Sequence, residues 1–372
     1  MADRPRIVLL AFDGFPFGCF GPLVTPNLWR LGEEGGFAHE GGRSGVPSTT
    51  YPAFASLLTG MNQQKTGVRT TAQKPGAVPG WAGGARCLTP TIIHRARAAG
   101  LRTAVAMGDH KLQKVLGLHE VGRAWPPAAV VPEGTPLDAH GYPTNAAVRP
   151  LALEAAGDPD VDLLFAHFNE TDTLGHDLGP GAAQTRDCVR AADAIVGELM
   201  AALQPDWGRT VLAVVSDHDM VRRLPLPPIN PLLSSECVGL VDDWISDGAA
   251  AWLHLTAGVD DHMAINRLSA VPGVEAWRWR EPNIMLLLAE PGRVFDGQPI
   301  PVGGIHGGMR AARTLAIVGG GHAAVGEIGV RLAARSPRLQ DWVPTFAGVL
   351  GLDLPDADGI DLLETSEMQS AG

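Results

Sequence analysis

Acidic and histidine residues follow several short apolar runs of this sequence. The runs 7–12, 162–168 and 210–216 lead into such residues, and a glycine-rich stretch adds one more histidine; the residues are Asp13, Asp172, His176, Asp217, His218 and His306. If the runs are parallel strands, their carboxyl ends meet at one edge of a sheet, where α/β proteins bind ligands. Mixed Asp and His side chains are typical zinc ligands, whereas oxygen-only sets favour magnesium or calcium.

Each of these residues also has an ordinary structural interpretation. An Asp after a strand is commonly a turn or helix cap, and a buried His is commonly a hydrogen-bonded core residue. The hypothesis of a shared metal site therefore depends on the combination of three acid-bearing strand ends with a histidine between glycines.

A hydroxyl-rich segment contains the candidate nucleophile, Thr50. Ser48, Thr49 and Thr50 come shortly before Pro52, and Gly60 follows. Pro52 is expected as a first helical residue and Gly60 as the helix stop, which places Thr50 at the amino end of a helix, where an anion is favoured. A threonine hydroxyl needs a metal or a base to act as a nucleophile at neutral pH. The alternative, that one of the three hydroxyl residues is only a helix N-cap, stays open at this point.

Short apolar runs alternate with helix-like segments, which predicts an α/β fold with a largely parallel sheet. The predicted strands are residues 7–12, 102–107, 162–168, 210–215 and 313–318. Their Val, Leu, Ile and Ala content is typical of strands that are buried on both faces. Helices are predicted at 90–99 and at 182–203, where apolar residues recur at helical spacing.

Two Gly- and Pro-rich stretches, 71–86 and 124–149, are predicted to be loops that border a site. Residues 222–303 have their own mixed pattern, with a predicted helix at 260–268 and predicted strands at 274–279 and 283–288. Because this segment lies between two groups of candidate ligands, we interpret it as an inserted cap. The predicted core is residues 1–221 together with 304–372.

The composition is that of an ordinary globular protein. The chain has 372 residues, 45% hydrophobic and 19% charged, with a formal net charge of −11. An acidic chain without a basic stripe argues against binding to a nucleic acid polymer. The apolar run at 7–12 is too short for a signal-peptide core or a membrane span, and the four cysteines lie far apart. We therefore expect a cytoplasmic protein with reduced cysteines and no association with membranes.

Taken together, the motifs resemble those of the nucleotide pyrophosphatase/phosphodiesterase branch of the alkaline phosphatase superfamily. The resemblance covers nearly the whole chain, and its motifs are Asp13-Gly14, Thr25-Pro26-Asn27-Leu28, Thr50-Tyr51-Pro52, Leu58-Thr59-Gly60, Asp172 with Gly175-His176, Ser216-Asp217-His218, Gly304-Ile305-His306-Gly307 and Val343-Pro344-Thr345-Phe346. It implies a three-layer α/β/α sandwich with a central, largely parallel sheet and a smaller inserted cap.

The resemblance also implies roles for the site residues. Seven residues would hold two divalent metal ions: Asp172, His176 and His306 the first ion, and Asp13, Asp217, His218 and the Thr50 oxygen the second. The ions would be zinc, with manganese as the alternative. Thr50 would attack phosphorus in line and form a covalent phospho-threonine that water then hydrolyses.

Two positions depart from the pattern of the branch. Ala53 stands where the branch commonly has an Asn that helps to hold the phosphoryl oxygen, and Asp219 stands where a Gly is usual. Both departures weaken the case for a nucleotide substrate. A second branch, the phosphonoacetate hydrolases, is similar at residues 107–112, where Lys111 coincides with one of its lysines. Lys111 and Asn169 are the candidate substrate-binding residues; for Lys111 the alternative is a solvated lysine at a helix start.

The leading hypothesis is hydrolysis of a small phosphodiester or phosphoanhydride through a phospho-threonine. A phosphonate hydrolase and a phosphomonoesterase of the same superfamily are the alternatives. A sulfatase is disfavoured, because it would need a Cys/Ser-x-Pro-x-Arg motif in the nucleophile segment. From another class, a catalytically inactive binding protein on the same fold would have no reason to keep all seven ligand residues. The expected partner is a small phosphorylated molecule, and no oligomeric state is predicted.

Overall fold

A computed structural model describes residues 4–71, 86–231, 234–295, 303–354 and 356–364, so that most of the predicted loop at 71–86 lies outside the described residues. The strands are β1 (Arg6–Phe12), β2 (Gly36–Phe37), β3 (Gly42–Arg43), β4 (Thr103–Met107), β5 (Ala124–Trp125), β6 (Leu163–Phe168), β7 (Thr210–Ser216), β8 (Val221–Arg222), β9 (Val241–Asp247), β10 (Ala250–Leu255), β11 (Val274–Glu281), β12 (Ile284–Ala289), β13 (Gly304–Ile305), β14 (Arg313–Thr314) and β15 (Ala316–Gly319). The α-helices are α1 (Pro26–Glu34), α2 (Thr50–Thr59), α3 (Gln63–Thr66), α4 (Ile92–Ala98), α5 (His110–Val115), α6 (Asn145–Gly157), α7 (Glu170–Leu178), α8 (Ala183–Ala202), α9 (Asp261–Ser269), α10 (Ala324–Ala334) and α11 (Trp342–Leu350).

The central sheet has seven strands in the order β2-β15-β7-β1-β6-β4-β5. The strands from β7 to β5 are parallel to one another, whereas β15 runs antiparallel to both β7 and β2. Parallel strands inside a sheet are covered on both faces, and accordingly every residue of β1 and β7 is buried. The predicted α/β fold with a large, mostly parallel sheet is confirmed.

Two hydrophobic clusters flank this sheet and produce the layered architecture. Successive residues of β1 alternate between the clusters, with Ile7, Leu9 and Ala11 in one and Val8, Leu10 and Phe12 in the other. Helices α2, α4, α5, α10 and α11 cover the first cluster, and α1, α6 and α8 cover the second. Because neighbouring side chains of a strand point to opposite faces, a strand that is apolar throughout needs a helix layer on each side.

Most predicted elements are confirmed with shifted ends, but two predictions are wrong. Residues 124–149 are not one loop, since they contain β5 and the start of α6, whose N-cap is the side chain of Thr144. Residues 313–318 are not one strand either. The N–H of Leu315 donates to Ser216 Oγ at 2.8 Å, and here the chain leaves the short β3–β14 pair and enters the central sheet as β15.

A second sheet lies within the predicted insert, with four antiparallel strands in the order β11-β12-β10-β9. β11, β12 and α9 match predicted elements, whereas β9 and β10 are absent from the sequence prediction. Asp242 and Asp243 interrupt the apolar pattern of β9, although Trp244 and Ile245 are buried. The sheet has a hydrophobic cluster of its own, which includes Trp244 and Leu253. The boundaries of the insert at 222 and 303 stay a prediction.

Candidate metal centre and active site

Three neighbouring parallel strands bring most of the candidate ligands to one edge of the central sheet. Asp13 follows β1, Asp217 and His218 follow β7, and α7 begins just after β6. In α7, Asp172 and His176 are four residues apart and share one face of the helix. The candidate ligands therefore meet beyond the carboxyl ends of the strands, where the sequence predicts the site.

Asp13, Asp217 and His218 form one cluster of potential metal ligands, which we name the buried group. Their side chains are 1%, 0% and 0% exposed. His218 Nε2 lies 3.2 Å from Asp217 Oδ2 and 3.5 Å from Asp13 Oδ1. The Thr50 hydroxyl lies 3.3 Å from the same His218 nitrogen and 3.5 Å from the same Asp13 oxygen. The fold thus brings the candidate nucleophile to this group.

Asp172, His176 and His306 form a second cluster, which we name the outer group. The two histidine Nε2 atoms are 3.0 Å apart, and they lie 3.4 Å (His176) and 3.8 Å (His306) from Asp172 Oδ1. The three side chains are 13%, 28% and 9% exposed in chain order, so this group is the more open of the two. The rings of His306 and His218 stack with centroids 3.8 Å apart, which places the two groups side by side.

The donor atoms of both groups fit bound cations. Asp217 Oδ2 and Asp172 Oδ1 are buried and accept no hydrogen bond from the described residues, although a histidine nitrogen lies within 3.4 Å of each. Burial and neighbouring carboxylates raise the pKa of Asp13 and Asp217 well above the usual range. Burial and two neighbouring imidazoles lower the pKa of His306. A divalent ion would favour the carboxylate forms of Asp13 and Asp217 and the neutral form of His306, so that each of these side chains could offer it a lone pair.

The nucleophile segment forms α2, which begins at Thr50, two residues earlier than predicted. Gly60 ends this helix in the left-handed conformation, with φ 73°, as the sequence predicts. The residue in the cap position is Thr49, whose side chain makes no capping hydrogen bond, and Ser48 Oγ donates to a backbone carbonyl at 2.8 Å. The Thr50 hydroxyl instead lies against the buried group. Thr50 is therefore not the N-cap, and its role as the nucleophile stays a prediction.

A cavity of about 380 Å³ opens over the site. Beside Asp13, Thr50 and the outer group, its wall contains Tyr51, Thr71, Asp109, Tyr142, Asn169 and Arg223. Of the two candidate substrate-binding residues, Asn169 lies in this wall. Lys111 is exposed and is not among the described wall residues, and its Nζ lies 4.9 Å from the centre of the Tyr142 ring.

Neither of the two departures from the branch pattern contributes a side chain to the two groups. Ala53 is buried in the core and is not among the described residues of the cavity wall. Thr71 is in that wall, and its hydroxyl accepts a hydrogen bond from the Tyr51 N–H at 3.1 Å. The Asp219 carboxylate accepts hydrogen bonds from two backbone N–H groups at 3.1 and 2.7 Å, and burial raises its pKa to about 6. Asp219 is thus held by the backbone.

The residues near the site that the sequence prediction does not name include His167, Tyr142 and Arg223. His167 Nε2 lies 3.1 Å from Asp13 Oδ2, and burial lowers the pKa of this histidine to about 4. A histidine inside an otherwise apolar strand was the signal available in the sequence. Tyr142 lies in a turn where Asp138 Oδ1 accepts its N–H at 2.9 Å, and an Asp that bonds the backbone this way is a recognisable turn signal. For Arg223 we find no such local signal.

A family and a curated relative match the chain. The family model described as type I phosphodiesterase / nucleotide pyrophosphatase matches residues 7–275. Human ectonucleotide pyrophosphatase/phosphodiesterase family member 7 is 26% identical over 239 residues, which are 59% of this chain and 48% of the relative. The chain therefore spans about half the length of that curated relative.

Solved structures share the fold. Murine ectonucleotide pyrophosphatase/phosphodiesterase 5, an inactive variant in complex with AMP, superposes with a TM-score of 0.69 at 15% identity, over 95% of this chain and 97% of the other. Phosphonoacetate hydrolase from Sinorhizobium meliloti 1021, in complex with phosphonoformate, superposes with a TM-score of 0.66 at 19% identity, over 84% of this chain and 90% of the other. At these identities the likeness establishes the fold alone.

Proposed function

Because the chain belongs to the type I phosphodiesterase/nucleotide pyrophosphatase family of the alkaline phosphatase superfamily, we propose that it hydrolyses a small phosphodiester or phosphoanhydride through a covalent phospho-threonine. The observation that carries this proposal is the position of Thr50. Its hydroxyl lies within 3.5 Å of Asp13 and His218, and it lines the same cavity as the outer group. A nucleophile is thus next to one set of ligand atoms and shares an open space with the other.

In this proposal the buried group and Thr50 hold one divalent ion, and the outer group holds the other. Zinc suits these Asp and His donors, and manganese is the alternative. When bound, the two ions supply positive charge for the threonine alkoxide, the phosphoryl oxygens and the leaving group. The stacked rings of His218 and His306 keep the two sets of donors adjacent.

The nucleophile acts in two steps. Thr50 Oγ1 forms a bond to phosphorus while the bond from phosphorus to the leaving oxygen breaks, and the hydroxyl proton passes through solvent to the leaving oxygen. Because Thr50 is the first residue of α2, the positive end of the helix dipole lies where the phosphoryl group gathers negative charge. Water then cleaves the phospho-threonine, which restores the Thr50 hydroxyl and releases the phosphorylated product.

The charge of the cavity wall favours a singly charged diester over a doubly charged monoester. Arg223 is the only Lys or Arg among the described wall residues, whereas Asp109 and Asp177 add carboxylates beyond the ligands. A phosphonate hydrolase is the second candidate, because a solved phosphonoacetate hydrolase shares the fold. Lys111, which suggested that alternative, lies outside the described wall. A catalytically inactive binding protein is disfavoured, because the ligand residues converge on two groups next to Thr50.

We further propose that residues 222–303 form a cap subdomain on a core of 1–221 and 304–372. The second sheet and its own hydrophobic cluster support the cap.

We also propose that the protein works in the cytoplasm. The four cysteines are all free, which is consistent with a reducing compartment. Over the part of the chain that the structure describes, no helix is both long and apolar enough to cross a membrane.

Variants of the nucleophile segment test the mechanism, with a panel of p-nitrophenyl substrates: a phosphate monoester, an alkyl phosphodiester, a phosphonate monoester and a sulfate. Thr50→Ala should lose most activity, because the attacking oxygen and one ligand disappear together. Thr50→Ser keeps the hydroxyl and should retain a measurable part. Ser48→Ala and Thr49→Ala are the matched controls: the first removes one buried hydrogen bond and should lose on the order of 1 kcal/mol, and the second removes a hydroxyl that makes no capping bond and should lose no more.

Two readouts decide between the candidate functions. Mass spectrometry of quenched reactions should find the phosphoryl group on Thr50; an adduct on Thr49, or near-normal turnover by Thr50→Ala, would overturn the assignment. The kcat/KM for the diester should exceed that for the monoester. The reverse ratio would indicate a phosphomonoesterase, and a preference for the phosphonate would indicate the second candidate.

A further inference from the structure

His167 lies beneath the site, in β6, beside Ala11 of β1 and Met107 of β4. Its side chain is fully buried, and its ring meets the Phe54 ring edge to face, with centroids 4.8 Å apart. His167 is not among the described residues of the cavity wall, so a substrate in the cavity does not touch it. Any effect of this residue on the chemistry must therefore pass through a neighbour.

The hydrogen bonding of His167 determines where its proton lies. Nε2 is 3.1 Å from Asp13 Oδ2, while the buried Nδ1 has no hydrogen-bond partner among the described residues. A proton on Nδ1 would bury an unpaired donor, which is costly, whereas a proton on Nε2 is donated to a carboxylate. The ring therefore carries its proton on Nε2 and donates it to Asp13.

This hydrogen bond leaves the two Asp13 oxygens with different tasks. Oδ2 is engaged by His167, and Oδ1 lies 3.5 Å from Thr50 Oγ1 and 3.5 Å from His218 Nε2. The Asp13 backbone is held as well: its N–H donates to the Phe168 carbonyl at 2.9 Å, and its carbonyl accepts the Thr171 hydroxyl. Backbone restraint alone leaves the carboxylate free to rotate, and the His167 bond removes that freedom.

We propose that His167 is a positioning residue for the buried group: its Nε2–H fixes the Asp13 carboxylate so that Oδ1 faces the cation and the nucleophile. The inference rests on the proposed two-metal function. Partners that orient a ligating side chain typically contribute 10- to 100-fold in metal affinity or activity. A histidine that served only to fill the core would contribute to stability and leave metal affinity unchanged.

Metal titration of the chelator-treated protein, by calorimetry with zinc and with manganese, separates these two roles. His167→Phe keeps an aromatic ring against Phe54 but has no donor, and it should bind one of the two ions roughly 10- to 100-fold more weakly, with the other within about threefold of the wild type. His167→Gln can place an amide N–H near the position of Nε2 and should recover most of the affinity. Phe54→Leu is the matched control: it removes the ring contact, keeps the hydrogen bond, and should lower the free energy of unfolding while both affinities stay unchanged.

The outcomes distinguish failure of the inference from failure of the proposed function. A wild-type protein that binds no stoichiometric metal overturns both. A wild type with two ions and a folded His167→Phe with unchanged affinities overturns only the role of His167. If His167→Phe does not fold, His167→Asn takes its place, because the shorter amide reaches only the position of Nδ1. Affinity retained in His167→Asn would then contradict the proposal.

Discussion

The buried group and the outer group use the same residue types in different surroundings. The buried group stands on the ends of β1 and β7, two neighbouring strands of the central sheet, and its side chains are at most 1% exposed. The outer group joins α7 to a loop near residue 306, and its side chains are 9% to 28% exposed. The geometry of the first group therefore comes from the core, whereas that of the second comes from contacts between separate segments.

His306 shows how the outer group depends on the second sheet. Its Nδ1 lies 3.1 Å from the carbonyl oxygen of Ser48, two residues before Thr50. Its own carbonyl accepts the N–H of Ala249, in the turn between β9 and β10, at 2.8 Å. In the same turn Gly248 has φ 67°, and a Cβ there would lie 2.6 Å from the His306 carbonyl oxygen. A turn of the second sheet thus holds a candidate metal ligand.

The largest effect is expected from Asp217→Asn, in the buried group. Asp217 Oδ1 accepts the N–H groups of Gly14 and His218 at 3.1 and 2.9 Å, which leaves Oδ2 for an ion. The amide lacks the negative charge, so one ion should be lost and kcat/KM should fall by more than the roughly 100-fold upper value for a supporting contact. Asp219→Asn is the matched control, since its carboxylate bonds the backbone, and it should keep both ions. Retention of two ions by Asp217→Asn would show that the buried group is not a metal site.

A smaller loss is expected from His176→Ala, in the outer group. Its ion should bind at least roughly 100-fold more weakly, while the ion of the buried group stays with near-native affinity, because the two groups share no side chain. Stepwise metal titration with elemental analysis measures this. If both ions leave together, or neither leaves, the division into two groups is wrong.

A moderate effect is expected from Asp247→Ala, at the end of β9. Asp247 Oδ2 accepts the Thr70 hydroxyl at 2.7 Å and the Thr71 N–H at 2.8 Å, and the Thr71 hydroxyl in turn accepts the Tyr51 N–H. Loss of this buried acceptor should lower the free energy of unfolding by about 1–3 kcal/mol and raise KM, with the metal content unchanged. Urea unfolding and steady-state kinetics test this, with Asp247→Asn as the control that keeps an acceptor oxygen. Unchanged unfolding and KM would mean that the insert does not support the site.

The smallest effect is expected from Lys111→Ala. This side chain is exposed and lies outside the described cavity wall, so the change should stay within about 0.5 kcal/mol, or two- to threefold in kcat/KM. Arg223→Ala, in the wall, should raise KM more. Kinetics on the diester and on the phosphonate measure both variants. A collapse confined to the phosphonate in Lys111→Ala would revive the phosphonate hydrolase.

Local patterns in the sequence were sufficient to predict the central sheet and the segments that carry the candidate ligands. An apolar run such as 7–12 that ends in Asp-Gly encodes both a buried strand and the turn after it, because burial and turn chemistry act over a few residues. The spacing of Asp172 and His176 likewise needs only the helical repeat to share a face. The seven candidate ligand residues could therefore be named from order and spacing, together with the family resemblance.

Tertiary structure alone decided which distant residues meet. His306 touches a residue 258 positions earlier, and His167 bonds an Asp 154 positions earlier; no local period encodes either pairing. Tertiary contacts also place Lys111 Nζ 4.9 Å from the centre of the Tyr142 ring, and they interrupt the predicted strand at Leu315. The physical reason is common to all four: periodicity and turn residues determine the conformation of short segments, whereas contacts between segments depend on how their buried faces pack and on which polar atoms must find partners once water is excluded.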